Sequence, residues 1–550
     1  MSSKLRIGII GAGCAGATAC KACLEEGYDV VVYEKTGHTG GLWRYHEDDV
    51  DGVASVAKST IINTSKEMQS YSDYPPPADF PNYMHNTKMV KYFDGYNQTF
   101  GFNRYVRFRH DVLKVEPNDD YESTGRWKIT ARDNNKNNDG NGDGQESTEV
   151  FDGVMVCTGH HVRPLVPTFR DQHLFKGRIS HTHSYKTSEG YTDKRVVVVG
   201  IGNSGGDAAV EVATVAAQTY LSTRRGTWVV YRVGPNGKPV DTVVSRRINN
   251  FLLNLLPYNM KCNLMENKLN KVVDHNDYQL KPKHRVLAQH IMINDTLPNR
   301  ILSGTVIVKG DIERFTETGI IFEGDTEETP CDAVVLATGY HVSFPFISQE
   351  LIPTDGNRIE LYKYAFAPKL SHPKTLAFIG LIQPIGAIMP IAELQCRWFA
   401  LLMANKVRLP SRQSMLANID QRLRDMRHRY YDSSRHTIQV DWLDFMDDLA
   451  EQVGCKPKLW TYLFTDPTLW RALVFGPCAP YQYRLNGPHS WPGARQALLT
   501  IDERIEAPLQ TRYGKVAKKQ IASGLGLSTG MFAISFIVGI LLFLFYSQIV

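Results

Sequence analysis

The chain has 550 residues, of which 43% are hydrophobic and 22% charged, a globular composition that suggests three or four domains. Its net charge is only +5, and no basic arm or zinc-finger spacing accompanies it, so no nucleic-acid partner is expected. The nine cysteines are scattered along the chain, which indicates reduced thiols rather than a disulfide framework. The first strand begins at Leu5, which leaves no room for a signal peptide before it.

The first motif lies between Leu5 and Glu34. An apolar run at 5–10 predicts a buried strand, 14–26 predicts a helix that Gly27 caps, and 29–33 predicts a second strand. A GxGxxG turn separates the first strand from the helix, in the context that binds a dinucleotide pyrophosphate at a helix N-terminus. Glu34 follows the second strand and is expected to accept hydrogen bonds from ribose hydroxyls. The predicted cofactor-binding residues here are Gly11, Gly13, Gly16 and Glu34.

Two further stretches carry candidate site residues. His38-Thr-Gly-Gly-Leu-Trp-Arg44 contains paired glycines that let the backbone pass close to a bulky ligand, although an ordinary turn is an equal alternative. Asn63 can donate and accept hydrogen bonds without titrating. By composition alone, the same stretch predicts a helix start that Asn63 or Thr64 caps, with Glu67 closing a capping box.

Residues 133–147 are rich in Asn, Asp and Gly and predict a loop between strands. The calcium-loop frame fails here, because its first position lacks a carboxylate and its last is Thr148, and no metal site is predicted. A strand at 151–156 then leads to Thr158-Gly159, where the backbone can approach a cofactor. His160 and His161 follow, and we interpret them as surface or packing residues that face apart.

A second motif repeats the first. Arg195–Val199 predicts a buried strand that leads into another GxGxxG, formed by Gly200, Gly202 and Gly205. The position equivalent to Glu34 is Thr223, and Arg224 follows it. With no acid and two arginines there, the site is suited to a 2′-phosphate and hence to NADP(H); exposed arginines in salt bridges are the alternative. One FAD and one NADPH site are therefore predicted.

Two other features allow two interpretations each. Cys20 and Cys23 form a CxxC in mid-helix, where packing is favoured over redox chemistry because a reactive thiol needs a helix N-terminus. Residues 228–301 are too long for a simple connection and predict an inserted subdomain. Its stretch 246–255 is amphipathic, and we expect core packing there, with a membrane-facing patch as the alternative.

The C-terminal stretch differs from the rest. Residues 521–550 contain no charge, and Arg512, Lys515, Lys518 and Lys519 precede them. Twenty helical residues span about 30 Å, the thickness of a bilayer core, so a transmembrane tail anchor with a cytosolic basic flank is predicted.

These motifs together resemble the flavin-containing monooxygenases of the vertebrate microsomal type. The resemblance rests on the two GxGxxG sequences, on Phe175-x-Gly-x-x-x-His-x-x-x-Tyr185 between them, and on the Thr338-Gly339-Tyr340 strand end. It implies an α/β fold with two Rossmann-like domains, the NADPH domain inserted in the FAD domain. It divides the chain into a first FAD segment 1–163, an NADPH domain 164–340 with an insert at about 227–301, a return FAD segment 341–445, a C-terminal region 446–520 and the tail 521–550.

The resemblance also implies the activity. FAD reduced by NADPH would react with O2 to a C4a-(hydro)peroxyflavin that oxygenates small lipophilic substrates, either at nitrogen and sulfur or, as in the isoform group that 61–67 and 281–285 resemble, by Baeyer–Villiger attack on ketones. An H2O2-releasing NADPH oxidase and a flavin disulfide reductase are the alternatives. The location would be the endoplasmic reticulum membrane, with the catalytic part cytosolic; a homo-oligomer stays open.

The resemblance assigns roles to individual residues. Asn63 would lie beside the flavin and Asn203 would hold the nicotinamide end, as the two catalytic residues. His181 and Tyr185 would be structural, at a domain junction. The further cofactor-binding residues are Gly41, Leu42, Trp43, Thr64, Ser204, Thr223, Arg224 and Gln383.

Overall fold

The computed structural model describes residues 4–135, 144–430 and 437–512. Two parallel five-stranded sheets dominate the fold, and their inner strands, such as Arg6–Ile10 and Arg195–Val199, are apolar runs buried on both faces, as is typical of parallel sheets. The first sheet has the strand order Leu376–Phe378, Gly153–Val156, Arg6–Ile10, Asp29–Glu34, Val106–Phe108. The second has the order Val306–Lys309, Gln218–Ser222, Arg195–Val199, Ala333–Leu336, Arg178–His181.

The two sheets have the same arrangement around their central strands. Ile10 pairs with Tyr33 in the first sheet, and Val199 pairs with Ser222 in the second. Each central strand then turns through a glycine loop into a helix, Cys14–Glu25 or Asn203–Val212. The predicted pair of Rossmann-type units is therefore present.

The chain visits the first sheet again after it has built the second. The strand Leu376–Phe378 lies beside Gly153–Val156, at the edge of the first sheet. The segment that builds the second sheet therefore interrupts the segments that build the first, and the assignment of the two units to FAD and NADPH stays a prediction. The exact domain boundaries stay predictions.

Smaller sheets and the helices surround this core. Two antiparallel sheets contain His110–Pro117, Trp127–Asp133 and Gln145–Phe151, and Ile312–Phe315, Gly319–Phe322 and Thr329–Pro330. Three strand pairs join Val229–Val230 to Met292–Ile293, Arg163–Pro164 to Tyr340–His341, and Gln383–Pro384 to Gln439–Val440. Within the described part of the chain, the α-helices are Cys14–Glu25, Lys66–Gln69, Asn86–Thr99, Tyr121–Thr124, Asn203–Val212, Val240–Val244, Arg247–Asn254, Tyr258–Asn270, Leu297–Leu302, Met389–Met403, Arg412–Arg429, Trp442–Val453, Leu459–Thr465, Pro467–Phe475, Ala494–Leu499 and Ile501–Glu506.

The insert between Trp228 and Ile301 corrects one expectation. The amphipathic stretch forms the helix Arg247–Asn254, but none of its residues is buried. Phe251 is 60% exposed and Leu255 is 56% exposed, so core packing was the wrong prediction for this face. Arg247 at the start of the helix pairs with Asp447 at 2.7 Å. The helix is fixed by its polar side and leaves apolar side chains uncovered.

Two predicted segments extend beyond the described residues. The loop 133–147 connects two strands, Trp127–Asp133 and Gln145–Phe151, but its centre, 136–143, lies outside the described residues. The predicted anchor 521–550 also lies outside it. Among residues 4–135, 144–430 and 437–512, no helix is long and apolar enough to cross a bilayer.

Candidate functional site

One continuous cavity of about 3130 Å³ lies between the two sheets. A pocket for one drug-sized ligand measures roughly 300–1,000 Å³, so this cavity has room for more than one such ligand. The residues predicted for both cofactors and for catalysis share its wall, with Gly16 as the exception. They are Gly11, Gly13, Glu34, Gly41, Leu42, Trp43, Asn63, Thr64, Gly200, Gly202, Asn203, Ser204, Gly205, Thr223, Arg224 and Gln383.

The first glycine loop is fixed by its own acid. Glu34 accepts hydrogen bonds from the backbone N–H of Ala12 at 2.8 Å and from Thr36 at 2.8 Å. Gly13 begins the helix with its backbone against Gly41, where an added Cβ would lie 3.6 Å from the Gly41 Cα. The paired glycines at 40 and 41 both have positive φ and form the turn that approaches this loop. The structure therefore brings two glycine segments, predicted separately, to one place.

Gly16 is absent from the cavity wall because it packs against the glycine loop. A Cβ at this position would lie 1.9 Å from the carbonyl oxygen of Gly11. Only glycine lets the helix pack this closely on the loop, which is the packing role that the motif predicts.

The second glycine loop repeats this geometry. A Cβ on Gly205 would lie 2.0 Å from the Gly200 carbonyl oxygen, whereas a Cβ on Gly202 would meet no atom within 4 Å. The space beside Gly202 and the helix N-terminus next to it form a cradle that suits a pyrophosphate. Thr223 and Arg224 lie beyond the paired residue Ser222, and the Arg224 Nε is 3.9 Å from a carboxylate oxygen of Asp311.

Asn63 does not cap a helix, which corrects the alternative prediction for 63–67. The short helix is Lys66–Gln69 and its N-cap is Ser65, without a side-chain hydrogen bond. Glu67 closes no capping box because its buried carboxylate accepts from the Tyr481 hydroxyl at 2.7 Å. Asn63 instead accepts a hydrogen bond at 2.6 Å from Arg232, more than 160 residues away.

Asn203 and Gln383 are positioned by neighbouring strands. The side-chain oxygen of Asn203 accepts from the backbone N–H of Ile293 at 2.8 Å. The backbone N–H of Gln383 donates to the Ile438 carbonyl at 2.7 Å.

The histidine pair after the first sheet is arranged differently from the prediction. The rings of His160 and His161 lie 4.3 Å apart, centroid to centroid, in an edge-to-face contact, so the two side chains do not point apart. Alternation of side chains holds along a strand, but these residues follow the end of the strand Gly153–Val156 and lie in a bend. Burial lowers the pKa of His161 to about 4. No group of side chains with metal-site geometry occurs within the described part of the chain.

The cysteines behave as packing residues. All nine are free, and Cys20 and Cys23 are fully buried. Burial raises the pKa of the Cys20 thiol to about 12, which is the opposite of redox activation.

His181 and Tyr185 lie where two parts of the fold meet. His181 Nδ1 accepts from the His183 backbone N–H at 3.0 Å, and His183 Nε2 is 3.3 Å from a carboxylate oxygen of Asp49. The carbonyl of Lys186 accepts from the Lys58 N–H at 2.8 Å. These contacts join the second sheet to the segment at 48–58, and the structural role of His181 and Tyr185 stays a prediction.

Sequence reasoning missed three residues that shape the site. Arg232 binds Asn63, Asp295 binds Arg232 at 2.8 Å, and Asp241 accepts from the Ser65 backbone N–H at 2.7 Å. Burial raises the pKa of Asp241 to about 6. No local spacing indicates these contacts, because their partners lie on different segments of the chain.

Comparison with known proteins agrees with this geometry. The flavin-binding monooxygenase-like family model matches residues 4–546. The chain is 47% identical to flavin-containing monooxygenase 5 of Rattus norvegicus, over 93% of this chain and 94% of the relative. It is 42% identical to dimethylaniline monooxygenase [N-oxide-forming] 2 of Cavia porcellus, over 94% of this chain and 95% of the relative.

Solved structures with this fold are more distant in sequence. S-allyl-L-cysteine S-oxygenase from Allium sativum has a TM-score of 0.62 at 22% identity, over 90% of this chain and 99% of that chain. A cyclohexanone monooxygenase has a TM-score of 0.56 at 15% identity, over 82% of this chain and 97% of that chain. At these identities the likeness shows a shared fold.

Proposed function

The chain belongs to the flavin-containing monooxygenase family, enzymes that use FAD, NADPH and O2, and we propose that this member oxygenates small lipophilic compounds inside the cavity between its glycine loops. The observation that carries the proposal is that both loops and both candidate asparagines, Asn63 and Asn203, line one cavity. A shared cavity lets a nicotinamide, a flavin ring and a substrate meet.

The two glycine loops fit the two cofactors. The Gly11–Gly16 loop, with Glu34 beside it, is suited to the FAD pyrophosphate and ribose, and the Gly200–Gly205 loop to NADPH. Thr223 and Arg224 would bind the 2′-phosphate, with Arg224 exchanging its long contact with Asp311 for a stronger charged partner. When bound, the flavin takes electrons from NADPH and activates O2, and the chain's part is to orient it and exclude water.

The cavity wall supports the choice of lipophilic substrates. The insert contributes a group of apolar side chains to it, Leu252, Leu253, Leu256 and Met260. Such a lining binds apolar molecules and excludes water. Both soft heteroatoms and ketones are candidate reaction centres. The name of the relative from Cavia porcellus supports N-oxygenation, whereas the likeness of 61–67 and 281–285 to the isoform 5 group supports ketone oxidation.

A paired turnover experiment distinguishes these substrate classes. Purified holoenzyme with NADPH is given either a long-chain ketone or a thioether, and ester, sulfoxide and H2O2 are measured against the NADPH consumed. Ester formation supports ketone oxidation, and sulfoxide without ester overturns it. If NADPH is consumed with one H2O2 per NADPH and no product in either case, the oxidase alternative replaces the proposed substrate class. The CxxC pair that a disulfide reductase would need, Cys20 and Cys23, is buried with raised thiol pKa values, which counts against that alternative.

We also propose that the protein is held on the endoplasmic reticulum membrane by residues 521–550, with the catalytic part cytosolic. The uncharged sequence and its basic flank support the anchor. A second support is the exposed apolar surface of the helices Arg247–Asn254 and Leu459–Thr465, which both pack on the helix Pro467–Phe475. It carries Phe251, Trp460 and Phe464, and the last two aromatic side chains are 81% exposed.

This surface is suited to a bilayer interface. Aromatic side chains enter the headgroup region of a bilayer, and the exposed Lys458, two residues before Trp460, suits anionic lipids. A chain that ends at residue 512 and carries Trp460→Ser and Phe464→Ser should bind anionic vesicles more weakly than the same truncated chain without them. Equal binding of the two would remove the surface from the proposal, and full-length protein left in a carbonate-washed supernatant would remove the anchor.

A further inference from the structure

The amide groups of Asn63 and Asn203 are both held by their oxygens. The Asn63 oxygen accepts from Arg232 Nη2 at 2.6 Å, and the Asn203 oxygen accepts from the Ile293 backbone N–H at 2.8 Å. A guanidinium and a backbone N–H can only donate, so each amide must present its oxygen to that partner. The N–H2 group of each asparagine then points away from the contact. Both residues line the same cavity.

Arg232 is itself fixed by Asp295. The backbone N–H of Arg232 donates to one carboxylate oxygen of Asp295 at 2.7 Å, and its Nη1 donates to the other at 2.8 Å. The Arg232 side chain is only 14% exposed, so its guanidinium has little freedom to choose another partner. Asp295 does not line the cavity and acts on Asn63 only through Arg232.

The segment that carries Ile293 and Asp295 is held by hydrogen bonds on both sides. Between them, the buried Asn294 donates to Asp207 at 3.0 Å and accepts from the backbone N–H groups of Thr296 and Leu297. Ile293 is paired in a strand with Val230, two residues before Arg232. One short stretch therefore fixes the orientation of both asparagines: Ile293 binds Asn203 directly, and Asp295 binds Arg232, which binds Asn63.

We infer that Asp295 and Arg232 are positioning residues, which hold the Asn63 amide so that its N–H2 group donates into the cavity. The inference rests on the proposed role of Asn63 beside the flavin. A donor placed there stabilises negative charge as it develops on oxygen. Asp295 balances the charge of Arg232. The donor that faces the cavity is therefore the neutral amide of Asn63, and the charged pair sets its direction.

The test measures how fast the enzyme releases H2O2 when no substrate is present. In that reaction NADPH, a proton and O2 give NADP+ and H2O2, whereas productive turnover puts one oxygen atom into the substrate and the other into water. Asp295→Asn in the holoenzyme should raise substrate-free H2O2 release about tenfold. A shift of about 1 Å in a positioned group can change a rate by up to about a hundredfold, and this variant should shift the Asn63 amide less than that. Asn63→Ala should do at least the same. Asp502→Asn, which breaks the exposed contact with Lys238 at 2.7 Å, is the matched control and should change nothing.

The double variant decides whether the effect runs through Asn63. Asp295→Asn should add nothing to H2O2 release in the Asn63→Ala background. An added effect there, or an unchanged release in Asp295→Asn at normal FAD content, overturns the inference. Arg232→Lys keeps the charge but loses the planar fork, so it replaces Asp295→Asn if that variant fails to fold and should give the same result.

A second readout does not depend on turnover. Arg232→Gln and Asn63→Ala remove the two ends of one hydrogen bond, so the fall in melting temperature of the double variant should be smaller than the sum of the single falls. Additive falls contradict the contact. Substrate-free release and melting are both measurable if neither the ketone nor the thioether is a substrate, so failure of the proposed substrate class leaves this inference testable.

Discussion

Glu34 and Thr223 occupy equivalent positions in the two sheets. Tyr33 pairs with Ile10 and Ser222 with Val199, and each of the two residues comes next in its chain. Glu34 accepts from the backbone of the glycine loop at 2.8 Å. At the second position there is no acid, and Arg224 follows with a carboxylate 3.9 Å away. This difference is the physical basis for assigning FAD to one loop and NADPH to the other.

Arg224→Ala should weaken the use of NADPH much more than the use of NADH. A charge-assisted hydrogen bond contributes about 1.5–3 kcal/mol, which corresponds to a rise of about 10- to 100-fold in KM for NADPH. Steady-state oxidation of both nucleotides measures the change in preference. Arg495→Ala, which removes an exposed arginine paired with Asp466, is the control. Parallel losses with NADPH and NADH would show that Arg224 does not bind the 2′-phosphate.

Gly202→Ala and Gly205→Ala should separate cofactor binding from folding. The methyl at 202 meets no protein atom within 4 Å, whereas the methyl at 205 would lie 2.0 Å from a carbonyl oxygen. We expect Gly202→Ala to keep the melting temperature of the NADP-free protein while KM for NADPH rises. Gly205→Ala should lower that melting temperature. A normal KM for Gly202→Ala would place the pyrophosphate elsewhere.

Local patterns in the sequence predicted the parts of the fold that depend on local physics. The two glycine loops, their strands and the helix cap at Gly27 follow from steric needs that only neighbouring residues decide. The helix at 247–254 was predicted as amphipathic, but periodicity cannot say what covers an apolar face, and Phe251 on this helix is left 60% exposed.

The site was predictable only in part for the same reason. The sequence identified Asn63 as a candidate. It did not indicate that Arg232 binds Asn63 or that Asp295 binds Arg232. Glu67 has the spacing of a capping box, yet it pairs with Arg504 from the far end of the described chain. A buried carboxylate takes the strongest partner that the fold supplies, and long-range partners leave no mark on local spacing.

Arg504→Ala should destabilise the protein strongly. Glu67 has no exposed surface, and its carboxylate lies 3.0 Å from Arg504 Nε. Removing one partner of a buried ion pair leaves the other charge uncompensated, which costs about 3–5 kcal/mol. Lys238→Ala breaks an exposed pair and should cost about 0–1 kcal/mol. Urea unfolding of both variants measures the difference, and equal losses would mean that Tyr481 alone satisfies Glu67.

Asp207 should make stability depend on pH in mildly acidic buffer. Burial raises the pKa of this carboxyl to about 6 in the folded protein, against a nearby Arg232 that opposes the rise, whereas an unfolded Asp titrates at about 3.9. Between these values the folded state holds a proton that the unfolded state has lost, so this contribution to stability is complete below about pH 4 and is lost as the pH rises through about 6.

Asp207→Asn can accept the same bond from Asn294 but has no charge to bury. The melting temperature of Asp207→Asn minus that of the wild type should therefore increase from pH 4.5 to 7 and stay level above it. For the exposed Asp502→Asn the same difference should not grow over this range, and a pH-independent difference for Asp207→Asn would show that the folded carboxyl titrates normally.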